Sequence, residues 1–388
     1  MSRFLFALLL GALGSSPVAA DPVRGVTDTE IVIGSYTDLS GVTAMWGVNN
    51  SNAWRMVFDE TNEAGGINGR KIKFIVEDNQ YTIPRSVQAA NKLINRDNVF
   101  MMVANGGTPM NNATMPEQLA KGVPNVFPLT SARSMYFPLN HLKFGLASSY
   151  YDQMRSGVKY FVEKRGRKAV CSLSQDTDFG RDIVDGMHDQ LKAMNMAAVA
   201  ETLHKPTETD FGAYVARLHD ANCDLVVFGT IVRDTIQAIS AIRKAGWNVD
   251  MIGQAASYDE AVADAPGGAD EGFFSMTPVL RLYAEDSRPA VKQFWEKYAK
   301  LYGKDPNFAA QLGYTGAQLA VLALKNAGRD LTTDSFVAGM EKIKDWHDQF
   351  GSPAMTFGPE KHQGSGDSFL CVVKGGHWVP VDEAPIAY

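Results

Sequence analysis

Short apolar runs alternate with segments of helical period along most of this chain, and no other feature constrains the fold as strongly. EIVIGSY (30–36), KIKFIVED (71–78), NVFMMVAN (98–105) and PNVFPL (124–129) read as strands. A second set follows in KAVCSLS (168–174), DLVVFGT (224–230), VDMIGQ (249–254) and GFFSMTP (272–278). Between them apolar residues recur at helical spacing, as in Ala53 with Val57, Trp54 with Phe58, and the stripe Val87, Ala90, Ile94. Strand–helix–strand units build parallel sheets flanked by helices, so the expected class is α/β. A length of 388 residues suggests two such units, each able to bury its own core.

Two stretches depart from the alternation. SRPAVKQFWEKYAKLYG (287–303) and YTGAQLAVLALKNAG (314–328) give consecutive helices with no strand between them. DSFLCVVKGGHWVPV (367–381) then reads as a hairpin turning at Gly375-Gly376. Such an ending fits a chain that crosses back between two domains. GGINGR (65–70) lies between a helix and a strand and reads as a helix stop and turn.

Residues 1–20 read as a secretory signal peptide. Arg3 precedes the apolar run FLFALLL, and Val18-Ala19-Ala20 supplies the small residues of a cleavage site. Cleavage is expected after Ala20, which starts the exported mature chain at Asp21. The chain carries 37 Lys+Arg against 43 Asp+Glu without a basic cluster, which argues against a nucleic-acid partner. Cys171, Cys223 and Cys371 lie in or beside expected strands and read as buried structural residues. An odd count leaves at least one thiol unpaired within the chain, and the spacing leaves open whether any two pair.

The sequence offers no constellation for catalysis. GxSxG, GxxxxGK[ST] and HExxH are absent, and the seven histidines are scattered. Asp176-Thr177-Asp178 lacks the remainder of a calcium loop. We therefore expect no enzyme activity, no metal and no cofactor. The polar positions cluster instead at strand ends: SGVTAMWG after the first strand, NGGTPMNNA after the third, and LTSARS after the fourth. Ligands of open α/β sheets bind beyond strand carboxyl ends, where helix N-termini present N–H groups. Thr108 is the expected N-cap of a helix with Pro109 in its first position. With Thr130 and Ser131 it would cradle a carboxylate. Trp46, in what reads as a surface loop, would be left for a ligand to cover.

The stretches IVIGSYTDLSGVTAMWG, NEAGGINGRKIKFIVEDNQYTIPRSVQAANKLI, QDTDFGRDIVDGM, TETDFGAYVARLHDANCDLVVFG and AIRKAGWNVDMIGQ carry a family resemblance. The chain resembles the periplasmic substrate-binding proteins of ABC importers, in the leucine/isoleucine/valine-binding branch. The resemblance spans roughly residues 28 to 375. It implies two Rossmann-like lobes joined by three crossings, with residues 21–147 and 279–352 in one and 148–278 and 353–388 in the other. It places Trp46 against the ligand, with Thr108, Thr130 and Ser131 at its carboxylate. On the second lobe it implies contacts from Phe179, where the family commonly has tyrosine, and from Thr230 and Ile231. Tyr150, Ala255 and Tyr258 complete the implied set.

One departure bears on the ligand. Amino-acid binders of this family place an acid just after the strand matching VDMIGQ, to receive the ligand ammonium. Here the chain continues Gln254-Ala255-Ala256-Ser257-Tyr258, and the first carboxylate is Asp259. Either Asp259 or another acid substitutes, or the ligand has no ammonium, since a buried ammonium without a counter-charge is costly. The implied function is capture of a small carboxylate, whether an apolar amino acid or an aromatic or aliphatic acid. A monomer would deliver it to an ABC permease and its ATPase; the alternative is a sensing module for a membrane receptor.

Overall fold

The computed structural model describes residues 23–388, so the signal segment 1–20 lies outside the described residues. Among them, no helix is long and apolar enough to cross a membrane.

In the first lobe, β1 (Glu30–Thr37), β2 (Lys71–Asp78), β3 (Met101–Val103), β4 (Asn125–Val126) and β5 (Lys143–Phe144) form one parallel sheet in the order β2-β1-β3-β4-β5. Helices α1 (Ala44–Glu63), α2 (Ile83–Asn95) and α3 (Thr108–Ala120) connect its first four strands. The chain then enters the second lobe. There β6 (Val170–Gln175), β7 (Ala200–His204), β8 (Leu225–Gly229), β9 (Asp250–Gly253) and β10 (Phe274–Thr277) are interleaved with α4 (Tyr150–Arg165), α5 (Asp178–Ala193), α6 (Gly212–Asp220), α7 (Val232–Lys244) and the short α8 (Glu260–Ala263). Helices α9 (Pro289–Tyr302), α10 (Phe308–Ala327) and α11 (Thr333–Glu341) return to the first lobe, with Phe294, Leu324 and Phe336 joining its core. The closing hairpin, β11 (Phe369–Lys374) and β12 (His377–Pro380), adds antiparallel strands to the second sheet, ordered β12-β11-β10-β9-β8-β6-β7. The second sheet is therefore mixed at one edge, where the expected terminal hairpin joins it.

Two strands escaped the sequence reading, β5 because it spans two residues and β7 because AETLH is half polar at the sheet edge. The third crossing also falls later than expected. Met355 and Phe357 pack in the first core, Trp346 bridges Met355, and Gln363 bridges Gly145. Apolar burial thus holds residues 353–364 to the first lobe, and the chain leaves only before β11.

α10 is buried nearly all round and packs along α1. That approach requires glycine: a Cβ on Gly313 would lie 2.7 Å from the Asn50 carbonyl oxygen. The helix pair fixes the orientation of α1, whose first turn enters the cleft.

A disulfide joins Cys171 in β6 to Cys223 ahead of β8, 52 residues apart, while Cys371 is free and buried. Closing a loop of that length is worth up to about 4 kcal/mol of unfolded-state entropy. Thiol titration of the native protein should find no reactive group, and denaturation alone should release one. Cys171→Ser should lower the unfolding free energy by about 2–4 kcal/mol, measured by denaturant titration, whereas Cys371→Ser should not reproduce that loss.

Candidate functional site

In each sheet the chain switches direction beside its first strand: β1 lies between β2 and β3, and β6 between β7 and β8. Connections leave such a point on opposite faces, which opens a crevice at the strand carboxyl ends. The two crevices face one another. Together they enclose a cavity of about 1150 Å³, counting the space at its mouth.

The first-lobe wall is organised by Asp38, which does not itself line the cavity and whose carboxylate accepts N–H groups from Ser40, Gly41 and Thr43 and the Thr43 hydroxyl. This ties the turn after β1 and starts α1 at Ala44, so Trp46 stands in the first helical turn rather than in a loop. Its indole lines the cavity and meets Phe308 edge-on at 6.0 Å between centroids. The floor is hydroxylic. Thr108 and Thr130 share a hydrogen bond of 2.6 Å between their Oγ1 atoms, and Ser131 lies beside them. Thr108 does not act as an N-cap; Gly107 holds that position with φ 89°, and the helix start has no side-chain cap. A Cβ at Gly107 would press on Met110 Sδ at 2.8 Å and on the Tyr81 ring at 3.0 Å. Only glycine lets α3 begin here, and its N-terminal N–H groups stay available to an anion.

The second-lobe wall is more apolar. Tyr150 and Phe179 meet edge to face at 5.2 Å, and Ile231, Val232, Ala255 and Ala256 complete it. Burial raises the Tyr150 phenol above its usual pKa, against the opposing pull of hydrogen bonds at Ser131 and Thr130, so it remains a donor beside the hydroxylic floor. Trp46, Thr108, Thr130, Ser131, Tyr150, Phe179, Ile231 and Ala255 are thus brought to one cavity.

Two expected residues are not. Thr230 precedes Ile231 and points the opposite way, with its hydroxyl 2.6 Å from that of Thr235 inside the second lobe. Tyr258 is turned inward because Gln254 caps a tight helical turn over Ala255–Ser257. Its ring packs on Phe308 and Trp378, and its hydroxyl accepts from Arg281 N and donates to Cys371 Sγ. Asp259 follows it into the interior and caps α8 through Ala261 N at 3.0 Å. Among the described residues, none lining the cavity carries a charge. The sequence reading missed Thr37, Asn50 and Tyr81, which also line it. Their signal was position: Thr37 ends β1, Tyr81 lies in the loop between β2 and α2, and Asn50 stands in the second turn of α1.

A family model for periplasmic binding proteins matches residues 30–377. The chain belongs to that family. Among curated relatives, Leu/Ile/Val-binding protein homolog 8 of Brucella abortus is 23% identical over 359 residues, covering 88% of this chain and 86% of the relative. Among solved structures, a branched-chain amino acid ABC transporter protein of Thermus thermophilus with bound valine superposes with TM-score 0.83 at 18% identity, over 93% of this chain and 97% of that one. A solute-binding protein of an ABC transporter from Rhodopseudomonas palustris, in complex with 3,4-dihydroxybenzoic acid, gives TM-score 0.79 at 22% identity, over 93% and 98%. The relatives are named as binding proteins, not enzymes, and the likeness in structure confirms the two-lobed α/β fold.

In this periplasmic binding protein the lobes are already bridged at the cleft mouth. Asn112 donates to Asp178 at 3.0 Å, and Arg133 N donates to Asp182 at 3.1 Å. The Arg133 guanidinium also lies 3.9 Å over the Tyr151 ring. Burial pushes the Asp182 carboxyl up to about 6 from 3.8, against the opposing pull of Arg133. A carboxyl raised in the folded state favours folding when protonated, so its contribution is complete below 3.8 and is lost as pH rises through about 6. Asp182→Asn should flatten the fall in stability across that window, read by thermal denaturation at several pH values. An unchanged slope would place Asp182 in water rather than in the bridge.

Proposed function

We propose that this protein captures a small apolar carboxylate without an ammonium group in its interlobe cleft and delivers it to an ABC permease. One observation carries the reading: a described lining of hydroxyls, N–H groups and apolar side chains, all uncharged. A carboxylate suits the Thr108–Thr130 pair and the uncapped start of α3, where hydroxyl donors and the helix dipole both favour negative charge. An ammonium would find only neutral acceptors, the hydroxyl and carbonyl oxygens of the lining. Asp259, the nearest acid in sequence to the family's usual position, is spent on α8. Leaving a cation buried without a counter-charge costs several kcal/mol, enough to set specificity. The Rhodopseudomonas neighbour, with its dihydroxybenzoic acid, supports the reading; the Thermus neighbour, with valine, supports the competing amino-acid one.

Calorimetry on matched pairs tests it. 4-Methylpentanoate should bind at least about tenfold more tightly than leucine, and 3-phenylpropanoate than phenylalanine, a difference of about 1.4 kcal/mol or more. Binding of the amino acids alone would refute the proposal. Thr108→Val and Thr130→Val should each weaken the acid by about 1.5–3 kcal/mol, since each removes a hydrogen bond to a charged group. Trp46→Ala should weaken binding by about 1–3 kcal/mol through lost apolar contact.

A further inference from the structure

Trp46 belongs to the first lobe, yet its ring packs against the core of the second. A line of aromatic contacts leads inward from it: Trp46 to Phe308 at 6.0 Å, Phe308 to Tyr258 at 4.9 Å, and Tyr258 to Trp378 at 4.7 Å. Asp259 stands beside this line. Its backbone carbonyl accepts the Trp378 indole N–H at 2.8 Å, and its Oδ1 accepts Ala261 N at 3.0 Å. Among the described residues, its Oδ2 has no hydrogen-bond partner and is fully buried; the indole Nε1 of Trp46 is likewise buried and unpartnered. A buried donor and a buried acceptor are each costly to leave unmade, and both belong to residues that adjoin the same Phe308–Tyr258–Trp378 line.

We propose that Asp259 is the positioning residue for Trp46: its free carboxylate oxygen accepts the indole N–H across the lobe boundary and fixes the ring as a wall of the cavity. The electrostatics agree. Burial raises the Asp259 carboxyl above its usual range, while Ala261 N, the Arg281 guanidinium and the Trp46 side chain oppose that rise. The Arg281 side chain is itself buried and paired with Glu260, so the Asp259 carboxyl sits within a cluster of opposite charges rather than alone. The acid that the sequence places late is on this account committed to a tryptophan of the protein. The proposal concerns the ligand-free protein and stands whichever ligand the cleft takes.

Indole N–H resonances of the full protein, labelled with 15N-tryptophan and without ligand, provide the test. The chain has six tryptophans, and Trp46→Phe assigns the Trp46 signal by its loss while keeping an aromatic ring at the site. The Trp46 indole proton should exchange with solvent at least roughly a hundredfold more slowly than that of free tryptophan. In Asp259→Asn the side-chain oxygen retains Ala261 N and an NH2 group faces the indole. The Trp46 signal should then move upfield and exchange faster. The Trp378 signal serves as a control, since its partner is a backbone carbonyl that the substitution preserves. A Trp46 signal unmoved in folded Asp259→Asn overturns the proposal. So does exchange at the free-tryptophan rate in the unsubstituted protein, a result that stands even if the variant fails to fold.

Discussion

Parallel strands collect helix N-termini along one edge of a sheet, and three chain crossings turn two such edges toward each other. Every later feature depends on that arrangement. It gives the cleft a supply of backbone N–H groups before any side chain is chosen. The side chains then add what each wall needs: hydroxyls from Thr108, Thr130 and Ser131 on the first lobe, apolar surface from Phe179, Ile231 and Ala255 on the second. On the proposed function, the carboxylate is held by oriented dipoles in place of a formal cation. Such groups are held by the fold and need not reorganise when the anion arrives.

The same economy explains where charge is found. Asp38, Asp259 and Asp182 all lie near the cleft, and each is engaged by protein N–H groups: Asp38 by the turn before α1, Asp259 by the start of α8, Asp182 by Arg133 N. The acids shape the walls and leave the interior neutral. On the proposed function, selectivity against an ammonium arises from what the cleft withholds, which is a counter-charge, and not from a repulsive group placed inside it.

Much of this was legible in the residues. Strand–helix alternation identified both sheets, and the Gly375-Gly376 hairpin marked the break at the end. Where reading failed, tertiary contacts decided. Trp46 looked like a loop residue because nothing local reveals that Asp38 gathers three N–H groups and starts the helix early. Thr108 looked like a cap because Thr-Pro usually is one; the hydroxyl is instead claimed by Thr130, 22 residues away. Thr230 and Ile231 were expected together, yet neighbours on an extended chain face opposite ways and only one can enter the cleft. Tyr258 was lost to the cavity through the Gln254 cap, a device visible only once its oxygen is seen to accept Ala256 N. The late third crossing reflects Met355 and Phe357, whose burial partners are distant in sequence.

The central claim is that both lobes grip one ligand between their facing edges. Hydrogen–deuterium exchange with mass spectrometry, comparing free protein with protein saturated by 3-phenylpropanoate, tests it most directly. The account predicts simultaneous protection in two places. One is the first-lobe segments at the start of α3 and around Thr130; the other is the second-lobe segments at the starts of α5 and α7. Protection confined to one lobe, or lying away from these strand ends, would contradict it.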